Sequence, residues 1–327
     1  MKSFTPVYEP WELSPDTLTV YTTNDRLWEI PKLVDHLVRY QGQDLVLNIN
    51  PEAQSLEACG LYTLLSSFKF KSVTIYTWNV LESHPVYTIK YKNPKFFFAR
   101  PHSWEPWNIT DKHRLWNKTK VFGTYYGRPT ADRLALSSHL FCHHRDITSF
   151  SLAFDPVKDT EFFELEKMFG YDTDSVKHLA QLLDHLPLNP ILYRPGKFDF
   201  YNPLADQYQD IFIDVISEPN VSGNSFFFTE KTVRTFLLQK PFILMGSQNT
   251  LCYLRQMGFK TFHDFWDEDY DGYSDRQRYA KIIALINSLA SYSVDQLFDM
   301  YQSMMPILQH NCNLILNQTF STEVTAI

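Results

Sequence analysis

The residues best placed to do chemistry lie between Asp214 and Gly246. An apolar segment, Asp214-Val-Ile-Ser, ends in Glu218 and runs into a loop containing Asn220 and Ser225. The loop leads to a helical period at Thr229-Glu230-Lys231. The first turn of a helix has unpaired N–H groups at the positive end of its dipole, so such a turn suits phosphate oxygens. Lys231 adds a full charge there. A carboxylate such as Glu218 or Glu230 can accept both hydroxyl protons of a ribose or another sugar. The same residues also have a purely structural reading. Thr229 is then an N-cap, Glu230 a first-turn acid paired with Arg234, and Val233, Phe236 and Leu237 are core.

A second group is Gly123-Thr-Tyr-Tyr-Gly-Arg-Pro-Thr-Ala-Asp-Arg, a strand that ends at a glycine before a helix. Charge developing on a departing phosphate needs a fixed cation. Arg128 is the first candidate and Arg133 the second, the alternative being an arginine that pairs with Asp132 or a carbonyl. Neither His139, His143 and His144 nor the acidic run Asp264, Asp267, Glu268, Asp269 and Asp271 has convincing metal-ligand spacing. The histidines read as surface or interface residues of a helix and the acids as a solvated loop. No metal is expected.

The stretch from Glu218 to Gly246, with Phe228-Thr-Glu-Lys and then Lys240-Pro-Phe-Ile-Leu-Met-Gly, resembles the donor-binding motif of the α1,3-fucosyltransferase family. It is more distantly similar to exostosin-like transferases. Pro219 departs from the Glu-Asn of that motif. The resemblance implies a GT-B fold, an α/β pair of Rossmann-like domains facing a cleft, and a glycosyltransferase using a nucleotide-diphosphate sugar. It implies that Glu230 holds the ribose and Lys231 the diphosphate. Glu218, Asn220, Ser225, Thr229, Arg133 and Gly246 complete the donor site. Lys231 and Arg128 would serve the chemistry.

A base must then come from the first half, opposite the leaving phosphate. Asp25 and Glu82, which follow strands, are the leading candidates, with Asn50 and Glu52 behind them. The acceptor is either a glycan or a hydroxymethylated base in DNA. The second idea rests on Tyr87 to Asp146, which holds eleven Lys and Arg against four Asp and Glu. There Lys90, Lys92 and Arg100 would follow a phosphate backbone while Trp104 and Trp107 stack on bases. The alternative function is a non-catalytic nucleotide- or sugar-binding protein of Rossmann-like fold.

Composition sets the frame. The 327 residues, 44% hydrophobic and 16% aromatic, suffice for two cores. Of the 30 Lys+Arg and 37 Asp+Glu, residues 1–150 hold 17 and 14, leaving 13 and 23 for the rest. One face therefore meets something anionic. The four cysteines are far apart and read as reduced thiols. No apolar run suits a membrane span or a signal peptide, so a soluble cytoplasmic protein is expected.

The elements that must position these residues follow an alternating pattern. Strands are expected at Thr17–Thr22, Asp44–Ile49 and Ser72–Thr77, with helices at Glu29–Arg39 and Pro51–Ser67. Residues 86–118 read as an irregular basic and aromatic insertion that closes a first domain, 1–118. The second domain, 119–327, begins with a strand at Lys120, a helix over Thr130–Phe141 and a strand around Ser149. Helices near Glu161–Phe169 and Asp174–Leu183 follow. It continues through the strand Asp210–Ser217, the helix Thr229–Gln239 and the strand Pro241–Met245. Then come the helix Thr250–Met257, a strand Lys260–Phe262 and two closing helices, Asp275–Ala290 and Val294–Leu316.

Overall fold

The computed structural model describes residues 17–23, 26–27, 30–50, 55–92, 109–127, 129–152, 165, 170, 173–189, 201–223, 225–321 and 324. It is an α/β structure with two separate sheets, the class expected. The first sheet holds β1 (Leu18–Thr23), β2 (Arg26–Leu27), β3 (Asp44–Asn50), β4 (Ser72–Thr77) and β5 (Thr88–Tyr91) in the order β2-β1-β3-β4-β5. All its pairings are parallel except the short edge pair β1 with β2. Helix α1 (Ile30–Arg39) buries Leu33 and Leu37 against it.

The second sheet holds β6 (Phe122–Tyr126), β7 (Thr148–Leu152), β8 (Ile213–Ser217) and β9 (Phe242–Met245), all parallel, in the order β7-β6-β8-β9. β6, β8 and β9 are buried along their whole length, as strands covered on both faces must be. The chain moves outward from β6 to β7 and returns to the other side of β6 for β8. The order therefore reverses between β6 and β8, where an open α/β sheet leaves a crevice at its carboxyl ends. Helices α4 (Ala131–His143) and α7 (Glu230–Leu237) enter on either side of that point.

Several elements differ from expectation for clear reasons. Of the helix expected over Pro51–Ser67, residues 51–54 lie outside the described residues, 55–60 are not helical, and α2 spans Leu61–Ser66. Gly60, with φ 78°, interrupts the expected helix in a left-handed conformation that glycine adopts without cost. Part of the supposed insertion is regular, since β5 extends the first sheet and α3 (Asp111–Arg114) follows it. Lys260–Phe262 is not a strand. The Lys260 N–H and C=O pair with the side-chain amide of Asn311, each at 2.8 Å, and the Phe262 N–H donates to Glu268 at 2.7 Å. With those groups satisfied, no sheet partner is needed. Helices α5 (Thr173–Leu183), α8 (Thr250–Gln256), α9 (Asp275–Ala290) and α10 (Val294–Leu316) lie where expected. Helix α6 (Tyr201–Gln207) was not foreseen.

The halves interlock. Val80 and Leu81, from the turn after β4, and Trp116 belong to the core formed by β8, β9 and the C-terminal helices. All four cysteines are free thiols, and no helix among the described residues is long and apolar enough to cross a membrane.

Candidate ligand site at the β6–β8 crevice

The end of β8 and the start of α7 form one buried polar knot. Glu218, 2% exposed, turns back onto the helix. One oxygen accepts from the Thr229 N–H at 3.0 Å and from the Thr232 hydroxyl. The other accepts from the Thr229 hydroxyl at 2.6 Å. The Thr229 hydroxyl in turn accepts from the Lys231 N–H at 3.3 Å and from its ammonium at 2.9 Å. Two amides of the expected cradle are thus taken within the chain, the Thr229 N–H by Glu218 and the Lys231 N–H by the Thr229 hydroxyl. Glu218 anchors the helix instead of offering its oxygens to a ligand.

What remains open are the side chains of the first turn. Lys231 does not extend into bulk solvent. It is 9% exposed, and its ammonium lies 3.3 Å from Glu230 and 3.8 Å from Glu218. The Glu230 side chain is 40% exposed. Burial pushes the Glu230 carboxyl up, but the Lys231 charge and hydrogen bond, its own main-chain N–H and the Arg234 charge together hold the group below its ordinary value. The turn therefore offers a fixed ammonium beside an ionised, accessible carboxylate.

On the β6 side, Ser217 donates to Asp132 in the first turn of α4, tying the two helix entrances together. Arg133 is buried, with its guanidinium 5.8 Å from the centre of the Tyr126 ring. The Thr130 hydroxyl, at the N-cap of α4, is buried without a hydrogen-bond partner among the described residues. Arg128 lies outside the described residues, as do Asp25, Glu52, Arg100, Trp104 and Trp107. Asn220 is partly buried at the start of the loop after β8. Ser225 is buried, and its carbonyl accepts from the Ser247 hydroxyl. Gly246 follows β9. A Cβ there would sit 2.7 Å from the Thr250 hydroxyl, so only glycine lets α8 approach this closely.

One residue that shapes the crevice has no signal in the local sequence. Arg278 of α9, 1% exposed, donates to the Val221 carbonyl at 2.9 Å and to the Gly246 carbonyl. Its other nitrogens bond the Tyr273 carbonyl and Asp275. It thereby holds the loop after β8 against the loop after β9. Behind the site, Arg234 pairs with the buried Asp214 at 3.4 Å and donates to Tyr208, which donates to Asp214. Arg234, which the purely structural reading pairs with Glu230, instead forms its ion pair with Asp214.

Other expectations change in the first half. Glu82, a candidate base, accepts from the Leu56 N–H at 3.0 Å, the Tyr62 hydroxyl at 2.8 Å and the Asn79 amide at 3.3 Å. Burial raises its pKa, but its oxygens are occupied by structural donors. Lys92 is 3% exposed, bonds the Ile49 carbonyl at 2.6 Å and lies 5.1 Å from the Trp78 ring centre, so it is not a surface contact for an acceptor. Burial pushes its ammonium down to about 7. Lys90 is partly buried against Tyr76.

The acidic run is not wholly solvated. Glu268 is buried and pairs with Arg255 at 3.2 Å. Asp271 caps α8 by accepting from the Leu251 and Cys252 amides at 2.9 and 3.0 Å. His139, His143 and His144 cluster with His178. The ring centres of His139 and His143 are 4.6 Å apart, and those of His143 and His178 4.7 Å. Among the described residues no group of three or more His, Cys, Asp or Glu is placed to hold a metal ion.

No protein-family profile and no curated protein matches the sequence. Among solved structures, the chain is similar to an α,α-trehalose-phosphate synthase (UDP-forming) from Burkholderia vietnamiensis. The identity is 10% and the TM-score 0.38, covering 94% of this chain and 71% of that one.

Proposed function

We propose that the protein is a glycosyltransferase that moves a sugar from a nucleotide-diphosphate sugar to an acceptor hydroxyl. The observation that carries the reading is the pairing of Lys231 with the accessible Glu230 at the carboxyl edge of β8, beside the point where the strand order reverses. Glu230 accepts from the ribose hydroxyls and Lys231 faces the diphosphate. Arg128 and Arg133, from the opposite helix entrance, would neutralise the phosphate as the anomeric carbon–oxygen bond breaks and the bond to the acceptor oxygen forms. The acceptor proton passes to a base from the first half, for which Asp25 is the proposed residue. Side-chain cations carry the leaving-group charge without a metal.

A glycan acceptor is favoured over DNA. Several cations of the basic stretch are already engaged, Lys92 internally, Lys112 with Asp206, Arg114 with Asp111, Lys118 with Asp295 and Lys120 with the Asp146 carbonyl. Binding to duplex or single-stranded DNA that weakens steeply with salt would reverse that preference.

The test is a thermal-shift and hydrolysis series over UDP-, GDP-, TDP- and CDP-sugars. One of them should raise the melting temperature and be hydrolysed slowly without acceptor. K231A should weaken binding by about tenfold to a hundredfold, the size of a lost charge-assisted contact, and leave the apo protein folded. Affinity without turnover for any acceptor would instead make this a nucleotide- or sugar-binding protein. Absence of binding across the series would end the reading.

A further inference from the structure

The loop that closes the crevice after β8 is held partly from the other half of the chain. Asn79, in the turn after β4, is fully buried. Its side-chain oxygen accepts from the Phe226 N–H at 3.1 Å and from the Leu81 N–H at 3.1 Å, while its amide nitrogen donates to Glu82 at 3.3 Å. Beside it the Trp78 and Phe227 rings lie 5.7 Å apart. Val80 and Leu81 are embedded in the second core. The opposite side of the loop is fixed within the second half, by Arg278 on the Val221 carbonyl and Ser247 on the Ser225 carbonyl.

We propose that Asn79 is a positioning residue: through it the first half of the chain holds Phe226 and the segment 225–228 that leads into α7, leaving the ligand site incomplete without that half. Glu82 completes the device. Its carboxylate, itself fixed by Leu56 and Tyr62, orients the Asn79 amide so that the oxygen faces Phe226. Phe226 lies three residues before Thr229, the cap whose hydroxyl touches the Lys231 ammonium. A displaced Phe226 therefore moves the group that seats the lysine.

The test compares amide hydrogen exchange in the full-length protein with N79A and N79D. N79D keeps an oxygen facing both amides, and its other oxygen takes the place of the amide 3.3 Å from Glu82, where the two buried carboxyls share one proton and keep the contact. N79A should exchange at Phe226 and its loop neighbours about tenfold faster, the size of one lost hydrogen bond, while β3, β9 and α10 keep their protection. N79D should restore most of that protection. Where UDP or GDP binds the wild type, as the proposed function requires, N79A should weaken it by a similar factor and N79D should recover it.

Exchange at Phe226 within twofold of wild type in N79A would overturn the proposal. So would a loss of protection in N79A that N79D does not restore. Failure of the wild type to bind any nucleoside diphosphate would remove the proposed function, and the exchange comparison would still decide the role of Asn79.

Discussion

Replacing Glu218 by glutamine separates an anchor from a ligand contact. The carboxylate receives three hydrogen bonds, from the Thr229 N–H, the Thr229 hydroxyl and the Thr232 hydroxyl, and the Lys231 ammonium lies 3.8 Å away. A hydrogen bond to a buried charged group contributes about 1.5–3 kcal/mol. A glutamine oxygen can still accept from the Thr229 N–H and the Thr232 hydroxyl, but its NH2 then faces the Thr229 hydroxyl, which already accepts twice from Lys231, and the neutral group no longer balances the ammonium. E218Q should therefore cost about 2–3 kcal/mol. E218A, which leaves the Thr229 N–H without its acceptor, should cost about 4 kcal/mol. At about 1.5 °C per kcal/mol for a chain of 327 residues, E218Q should melt about 3–4 °C below wild type in calorimetry at pH 7.5 without ligand. A melting point within 1 °C of wild type, joined to weaker nucleotide binding, would refute the anchoring argument and return Glu218 to the ligand.

Three further outcomes follow from buried charge. Burial, opposed by a bond to Asn287 and reinforced by the neighbouring imidazoles, pushes His139 down to about 4. The folded state thus disfavours its protonation, and stability should fall as pH drops from about 6.5 toward 4. After allowance for the ring's partial exposure this is about 1–2 kcal/mol, and H139Q should flatten it in urea titrations at pH 7.5 and 5. Lys240, 1% exposed and bonded to the Leu115 carbonyl at 2.7 Å, is pushed down to about 7. Stability should therefore rise as pH increases from 7 toward 10, and K240M should remove that rise in urea titrations at about pH 7 and about pH 9.5. D271A should destabilise by about 1–2 kcal/mol, read as a lower urea midpoint with unchanged slope, because it uncaps α8.

The sequence was most informative where periodicity was long or strands were wholly apolar. Helices α9 and α10 and strand β4 begin and end at the expected residues, and β8 and β9 needed only trimming. The Thr229 cap and the burial of Val233, Phe236 and Leu237 were likewise legible from position along one helix. Failures came from contacts distant in sequence. Nothing near Lys260 signals that Asn311 will satisfy its main chain. A carboxylate after a strand looks the same whether it faces a cleft or, as with Glu82 and Glu218, turns inward to donors. Lys92 looked like part of a basic surface because the partner that buries it, Ile49, belongs to another strand. Asn79 and Arg278 were missed for the same reason, since their meaning lies in the carbonyls and amides they reach.

The interlocked cores bear on how the chain acquires its structure. Asn79 and Phe226 are 147 residues apart in sequence, and the second core admits Val80, Leu81 and Trp116 from the earlier part. During synthesis the turn after β4 emerges long before its receiving surface exists, so Val80 and Leu81 stay exposed until β8 and β9 are made. Contacts of such long range slow folding and prolong the life of sticky intermediates. The turn should be the last piece to dock, and its apolar residues the surface a chaperone would cover in the meantime.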